Sequence, residues 1–252
     1  RPYSSRLEEM LSSLASSTIS GEGAIKLLTG TGKQDSYLII PVTADRGLCG
    51  GFNSSINRET TKYIRLLEKD SKNVTLLTIG KKSRDFFNRI MKDKIIESYV
   101  DLGATGAGYD TAIQISNKIQ SLYFDNQFDV CVLVYNKFKS VIVQEVTQQQ
   151  LVPLDIANKE EIENIEKIQD SSIYTYEPDE ESILQDLLPK NVSIQIFKIL
   201  LESNAGEQGA RMVAMDNATR NAGDMIDSLT LKYNRTRQAF ITKELIEIIS
   251  GA

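Results

Sequence analysis

The residues best suited to chemistry lie in expected loops. Gly30-Thr31-Gly32-Lys33 hints at a phosphate-cradling loop, which needs a glycine, four residues, then Gly-Lys-Ser/Thr between a strand and a helix. Leu27 stands where the first glycine should be and Gln34 follows the lysine, so the stretch reads as a flexible loop. Gly103, Gly106 and Gly108 run in the reverse of the dinucleotide-binding spacing and read as a hinge or loop. Asp45-Arg46-Gly47-Leu48-Cys49-Gly50-Gly51 follows the first expected strand, where α/β folds place ligand-contacting loops. Cys49 could serve there as a reactive thiol, but no histidine or second cysteine is near in sequence, and a tight turn or partner contact is favoured. Asp179, Glu180 and Glu181 could ligate a metal; on consecutive helical positions they diverge, and they suit the first turn of a helix better.

The chain contains no histidine. That excludes His-based acid–base catalysis, His metal ligation and the usual Ser or Cys triads. No catalytic residue, metal site or cofactor is expected. Apolar residues make up 41% and charged residues 25%, enough to build a sizeable soluble core. A formal net charge of −5 disfavours non-specific nucleic-acid binding. No apolar run approaches the roughly 18 residues of a membrane span. Cys49 and Cys131 form no disulfide framework and favour an intracellular compartment. Asn-x-Ser/Thr triplets at Asn73, Asn191, Asn217 and Asn234 read as chance, since two fall deep within an expected helix. The sequence opens at Arg1 rather than Met, so the lack of a targeting peptide carries no meaning.

The elements that would position these residues alternate. Ser4 to Ser17 reads as the tail of an amphipathic helix through Leu7, Met10, Leu11 and Leu14, and Ser20 to Asp35 as a loop. Strands are expected at Tyr37–Ala44, Asn73–Ile79, Lys94–Val100 and Phe128–Tyr135, with Val141–Thr147 pairing beside the last. Pro41 argues for a place near a sheet edge. Helices are expected near Ser54–Glu68, Lys81–Met91 and Thr111–Phe124. Residues 148–172 read as polar and irregular, Ile173–Tyr176 as a possible edge strand, and Pro178–Leu188 as a short helix. This alternation predicts an α/β, Rossmann-like domain with a parallel or mixed sheet covered by helices. Helices at the two ends of the chain enclose it: residues 1–20 form the first, 21–189 the domain and its foot, and 190–252 a long C-terminal helix.

That last helix carries the strongest signal. From Lys190 onward there is no proline, and one helix would be about 90 Å long at about 1.5 Å per residue. A domain of this size is only about 40 Å across, so the helix must leave it. Gly206, Ala210, Ala214, Ala218 and Ala222 recur every fourth residue and make a ridge that another helix can approach closely. Met212, Met215, Met225, Ile226, Leu229 and Tyr233 lie beside it as an apolar seam. Burial against the chain's own domain is expected only near Ile194–Leu201. From Arg211 to Lys243 basic residues outnumber acidic ones, which suits an acidic partner. Phe240, Ile241, Leu245, Ile246, Ile248 and Ile249 surround the axis at the tip, so other chains must bury it. An α/β enzyme using residues 37–150 and a general coiled-coil scaffold stand as the alternatives to a partner-embedded shaft.

DRGLCGGFN (Asp45–Asn53), EQGARMVAMDNATRNAGDMI (Glu207–Ile226), YNRTRQAFITKELIEIISGA (Tyr233–Ala252) and YEPDEESIL (Tyr176–Leu184) resemble the γ subunits of F-type ATP synthases. The resemblance covers essentially the whole chain; members of the family begin with a further basic helix, of which Arg1–Ser17 resembles the last part. It implies a non-catalytic rotor whose terminal helices form an antiparallel coiled coil inside a ring of three α and three β subunits. The family's β catch-loop contacts match Arg211, Arg237, Gln238, Thr242 and Glu244, and the loop of Cys49 would face the β lever. Phe240, Ile246 and Ile249 would form the bearing. Tyr174 and Glu177 match the c-ring side, near an ε-type subunit (δ in mitochondria). The implied location is peripheral, on an energy-transducing inner membrane, with no nucleic acid and no cofactor.

Overall fold

The computed structural model describes residues 26–102, 108–141, 143–154 and 180–251. Expectations for Ser4–Ser17, Gly103, Gly106, Ile173–Tyr176, Tyr174 and Glu177 fall outside these. A short helical turn, α1 (Lys26–Thr29), precedes β1 (Ser36–Pro41), α2 (Phe52–Lys69), β2 (Asn73–Ile79), α3 (Lys81–Ile90), β3 (Ile95–Tyr99), α4 (Tyr109–Phe124), β4 (Val130–Phe138), β5 (Gln144–Val152) and α5 (Glu180–Ser250).

The strands form one sheet in the order β3-β2-β1-β4-β5. Pairs among β1, β2, β3 and β4 are parallel, and β5 closes one edge antiparallel to β4. Strands buried on both faces read as continuous apolar runs, as in Leu38–Ile40 and Cys131–Val134. One face carries Phe52, Ile56, Ile64 and Leu67 of α2 with Phe87 of α3. The other carries Ile115, Ile119 and Leu122 of α4 against α5. A carboxylate pins the base of the sheet. Asp129 accepts from Thr31 Oγ1 (2.6 Å), Ser36 Oγ (2.8 Å), Ser36 N (3.0 Å) and Asp35 N (3.1 Å). Burial raises its pKa, but the hydrogen bonds from Thr31, Ser36 and Asp35 together outweigh that and hold it below the usual carboxylate range. The Gly30–Lys33 stretch therefore turns toward a carboxylate of its own chain.

Three expectations need correction. Pro41 does not mark an edge: β1 is the central strand, and Pro41 is its last residue, paired with Val134. A missing N–H is tolerated at a strand end, and Val42 N resumes hydrogen bonding to Val134 O at 2.9 Å. The fifth strand is shifted along the chain. Val141 and Val143 lie exposed in the hairpin, where Ser140 N donates to Val143 O at 3.0 Å, and Gln148–Val152 joins β5. Its polar inward position is satisfied, because Gln149 Oε1 accepts from Tyr135 Oη at 3.0 Å. Lastly, α5 is a single helix through Pro189 rather than a short helix followed by a long one. Leu188, Val192, Ile196 and Ile199 are all fully buried at helical spacing, each contributing about 2 kcal/mol. That stripe outweighs the roughly 3 kcal/mol an interior proline costs.

Candidate functional site

A doubly wound sheet takes ligands where the strand order reverses, outside the carboxyl ends of its strands. Here the reversal lies between β1 and β4. That crevice is filled by the chain's own helix. A Cβ placed on Gly206 of α5 would lie 3.3 Å from Phe52 Cε2 and 3.7 Å from the carbonyl oxygen of Asn136. Glycine is what lets α5 come this close. Asn136 is buried and donates through Nδ2 to Phe52 O at 3.2 Å, locking the end of β4 to the start of α2. The space left is a groove of about 370 Å³ beside Ala210, Val213 and Ala214, and among the described residues Cys49 is the only ionisable group that lines it. Among the described residues no cluster of His, Cys, Asp and Glu is arranged to hold a metal ion.

The loop after β1 is held shut from within. Asn53 Oδ1 accepts from Ala44 N at 2.9 Å, and its Nδ2 donates to Arg46 O at 3.3 Å and approaches Cys49 Sγ at 3.0 Å. Asp45 accepts from Lys81 N at 2.8 Å, completing the start of α3, and from Leu102 N at 3.3 Å. Cys49 is only 1% exposed, and burial raises its thiol pKa, with Arg211 partly opposing. Its sulfur is packing, and Leu48, left-handed at φ 63° and 77% exposed, is what the loop presents. Asn53 and Asp45 were missed as loop-holding residues in the sequence; Asn53, at the second position of a helix, was the available signal.

Arg211 belongs to this loop. Its guanidinium donates to Glu207 Oε1 at 2.5 Å, Gln208 Oε1 at 3.1 Å and the carbonyl of Gly47 at 3.5 Å. The lower ridge serves the domain too, since Ala210 packs into the α2 core cluster and Ala214 Cβ lies against Gly50. Self-burial thus continues well past Leu201. From Met215 to Ser250 every residue of α5 is exposed, so the helix projects about 50 Å beyond its last contacts with the domain.

Arg237, Gln238, Thr242 and Glu244 all lie on this projection, far from Arg211. At about 100° per residue, Gln238 and Thr242 share one face while Arg237 and Glu244 share a second about a third of a turn away. Thr242 Oγ1 donates to Gln238 O at 2.9 Å, so its hydroxyl is already engaged. Phe240 is 61% exposed, Ile246 60% and Ile249 76%, beside exposed Ile241, Leu245 and Ile248. By the same angle these six span about two-thirds of the circumference, not all of it. The remaining sector carries the Lys243–Glu247 pair at 3.6 Å. Arg220 pairs with Asp216, so the basic character of the shaft concentrates at Lys232, Arg235 and Arg237.

The family model described as ATP synthase matches residues 1–252. The ATP synthase gamma chain of Rhodospirillum rubrum is 54% identical over 254 residues, covering 100% of this chain and 85% of that one. The gamma chain of Pelagibacter ubique is 46% identical over 252 residues, covering 100% and 84%. A chain of the Tetrahymena thermophila mitochondrial ATP synthase central stalk and c-ring superposes with a TM-score of 0.58 at 27% identity, covering 86% of this chain and 99% of that one. A chain of the Euglena gracilis mitochondrial ATP synthase reaches a TM-score of 0.64 at 18% identity, covering 99% and 89%, and supports the fold alone. Matched along its whole length, the chain belongs to the ATP synthase family, among the gamma chains.

Proposed function

We propose that the chain is the turning shaft of an F-type ATP synthase, itself non-catalytic, which carries rotation of a membrane c-ring to the nucleotide sites of a surrounding α3β3 ring. One observation carries this reading: a bare helix about 50 Å long that ends in a collar of exposed Phe and Ile. Exposed apolar surface of this extent marks a partner interface. An α/β enzyme would leave the strand reversal clear for its ligand, whereas α5 packs into it here and leaves a groove lined, among the described residues, by no ionisable group but Cys49.

The mechanism is mechanical. Proton flow turns the c-ring, and the domain and α5 turn with it. A shaft biases a neighbouring site only if its contacts differ between that site's states. Arg237 with Glu244 on one face and Gln238 with Thr242 on another supply such asymmetry, as does the Lys243–Glu247 sector against the apolar remainder of the tip. The Leu48 loop meets the β lever beside the crevice, with Cys49 bracing it from below. Arg211 holds that loop to the shaft and touches the ring at its lower margin. Resemblance to the family's sequence motif supports Tyr174 and Glu177, outside the described residues, as the c-ring side, near an ε-type subunit, or δ and ε in mitochondria. The chain then sits peripherally on the inner membrane through the c-ring; among its described residues no helix is long and apolar enough to cross a membrane.

Replacing Arg237 and Gln238 together by alanine in the assembled complex should lower coupled ATP turnover about tenfold, the value of roughly 1.4 kcal/mol of lost differential contact. Assembly, read by native mass spectrometry, should stay intact. Turnover at the wild-type rate would remove these residues from the coupling path.

A further inference from the structure

On the face of the sheet opposite the buried part of α5, α2 and α3 enclose an open trough of about 700 Å³. Arg58, Lys62 and Arg65 line one wall at helical i, i+4, i+7 spacing, and Lys82 and Arg89 line the other, seven residues apart. One carboxylate, Asp85, shares the trough, and it is already paired with Arg84 at 2.9 Å. Lys62 also approaches Glu59 at 3.8 Å, a long and exposed contact. Such a concentration of cations stands out on a chain of net charge −5. The α3 wall also carries an apolar ring, between Lys82 and Arg89 along the helix. Phe86 is 38% exposed and set edge-on against buried Phe87, with ring centroids 5.0 Å apart. Buried Asn57 on α2 links the two walls by a long hydrogen bond, donating to Lys82 O of α3 at 3.5 Å.

We propose that this trough is a docking surface for an acidic, amphipathic segment of a partner polypeptide. Facing rows of cations choose carboxylates by charge complementarity, and a helix laid in the groove sets an apolar position against the exposed part of Phe86. A single aromatic ring argues against nucleic acid, which would call for bases stacked on several, and so does the chain's overall negative charge. The trough is on a different face from the shaft, so this inference stands or falls separately from the shaft's role.

The test is photo-crosslinking. Benzoylphenylalanine is placed at position 86 in the chain assembled into its full complex, and crosslinked peptides are identified by mass spectrometry. The expected result is a crosslink to a segment of another polypeptide rich in Asp and Glu. Its yield should fall about fivefold or more with Lys62→Glu/Arg65→Glu, exposed changes that leave the thermal melt of the chain unmoved. Crosslinks to nucleic acid, to lipid, to residues 155–179 of the same chain or to a segment without net negative charge would overturn it. So would an absent crosslink, or a yield indifferent to the charge reversal.

Discussion

Gly80→Ala is expected to destabilise the chain by about 3 kcal/mol or more, lowering its melting temperature by about 6 °C or more. Gly80 links β2 to α3 at φ 93°, a conformation an L side chain rarely adopts. A Cβ there would lie 2.1 Å from the carbonyl oxygen of Thr43 and 2.6 Å from its carbon. Backbone, not a flexible side chain, stands in the way, so the chain just after β1 would have to separate from the end of β2, which it pairs with in parallel. At that junction Thr43 N donates to Ile79 O at 2.8 Å and Thr43 Oγ1 accepts from Ser83 N at 2.9 Å. The loop from Ala44 to Asn53 starts at the next residue, so the same change should also displace Leu48 and the Arg211 contact. A calorimetric melt within about 1 °C of the unaltered chain would show that this junction yields more easily than its geometry implies.

Ile246→Glu is expected to have the largest effect on the assembled complex and almost none on the chain alone. Ile246 is 60% exposed and touches no part of the described domain, so the isolated chain should melt unchanged. Inside an apolar sleeve an unpaired carboxylate costs several kcal/mol. Coupled ATP turnover should fall at least about tenfold, or the complex should fail to assemble. Ile246→Leu keeps volume and apolarity and should be tolerated. If the glutamate variant assembled and turned over normally, no apolar bearing would surround the tip.

Much of this architecture was legible in residue order. Apolar runs such as Leu76–Ile79 and Val130–Val134 marked buried strands because both their faces are covered, and the helices between them showed a parallel sheet. The long helix declared itself by a lack of breakers far beyond what one domain can cover. What stayed hidden depends on contacts distant in sequence. Pro189 looked like a boundary because local propensity says so, but Leu188 and Val192 on either side are buried against α4 and the core. Gln148–Gln150 looked like loop because nothing local reveals that Tyr135 waits across the strand pair for Gln149.

The site divides along the same line. The exposed tip was readable from composition alone, since apolar residues spread over so wide an arc cannot be satisfied by the chain's own domain. The ridge misled in its lower part: small residues at Gly206, Ala210 and Ala214 suit any close neighbour, and that neighbour proved to be Phe52, Asn136 and Gly50 of the same chain. Arg211 and Arg237 looked alike in sequence. Only the fold separates an arginine clamped to the Gly47 carbonyl from one standing on a bare helix.

On the proposed mechanism the domain and shaft turn as one against a stationary ring. Both native cysteines are buried, so Asn117→Cys on the exposed side of α4 gives a selective attachment point for a visible bead. With the complex fixed to a surface through its β subunits, ATP hydrolysis should drive the bead in one direction, pausing at three positions in each turn. A bead that stays still while the same complexes hydrolyse ATP would show that the chain does not rotate against the ring.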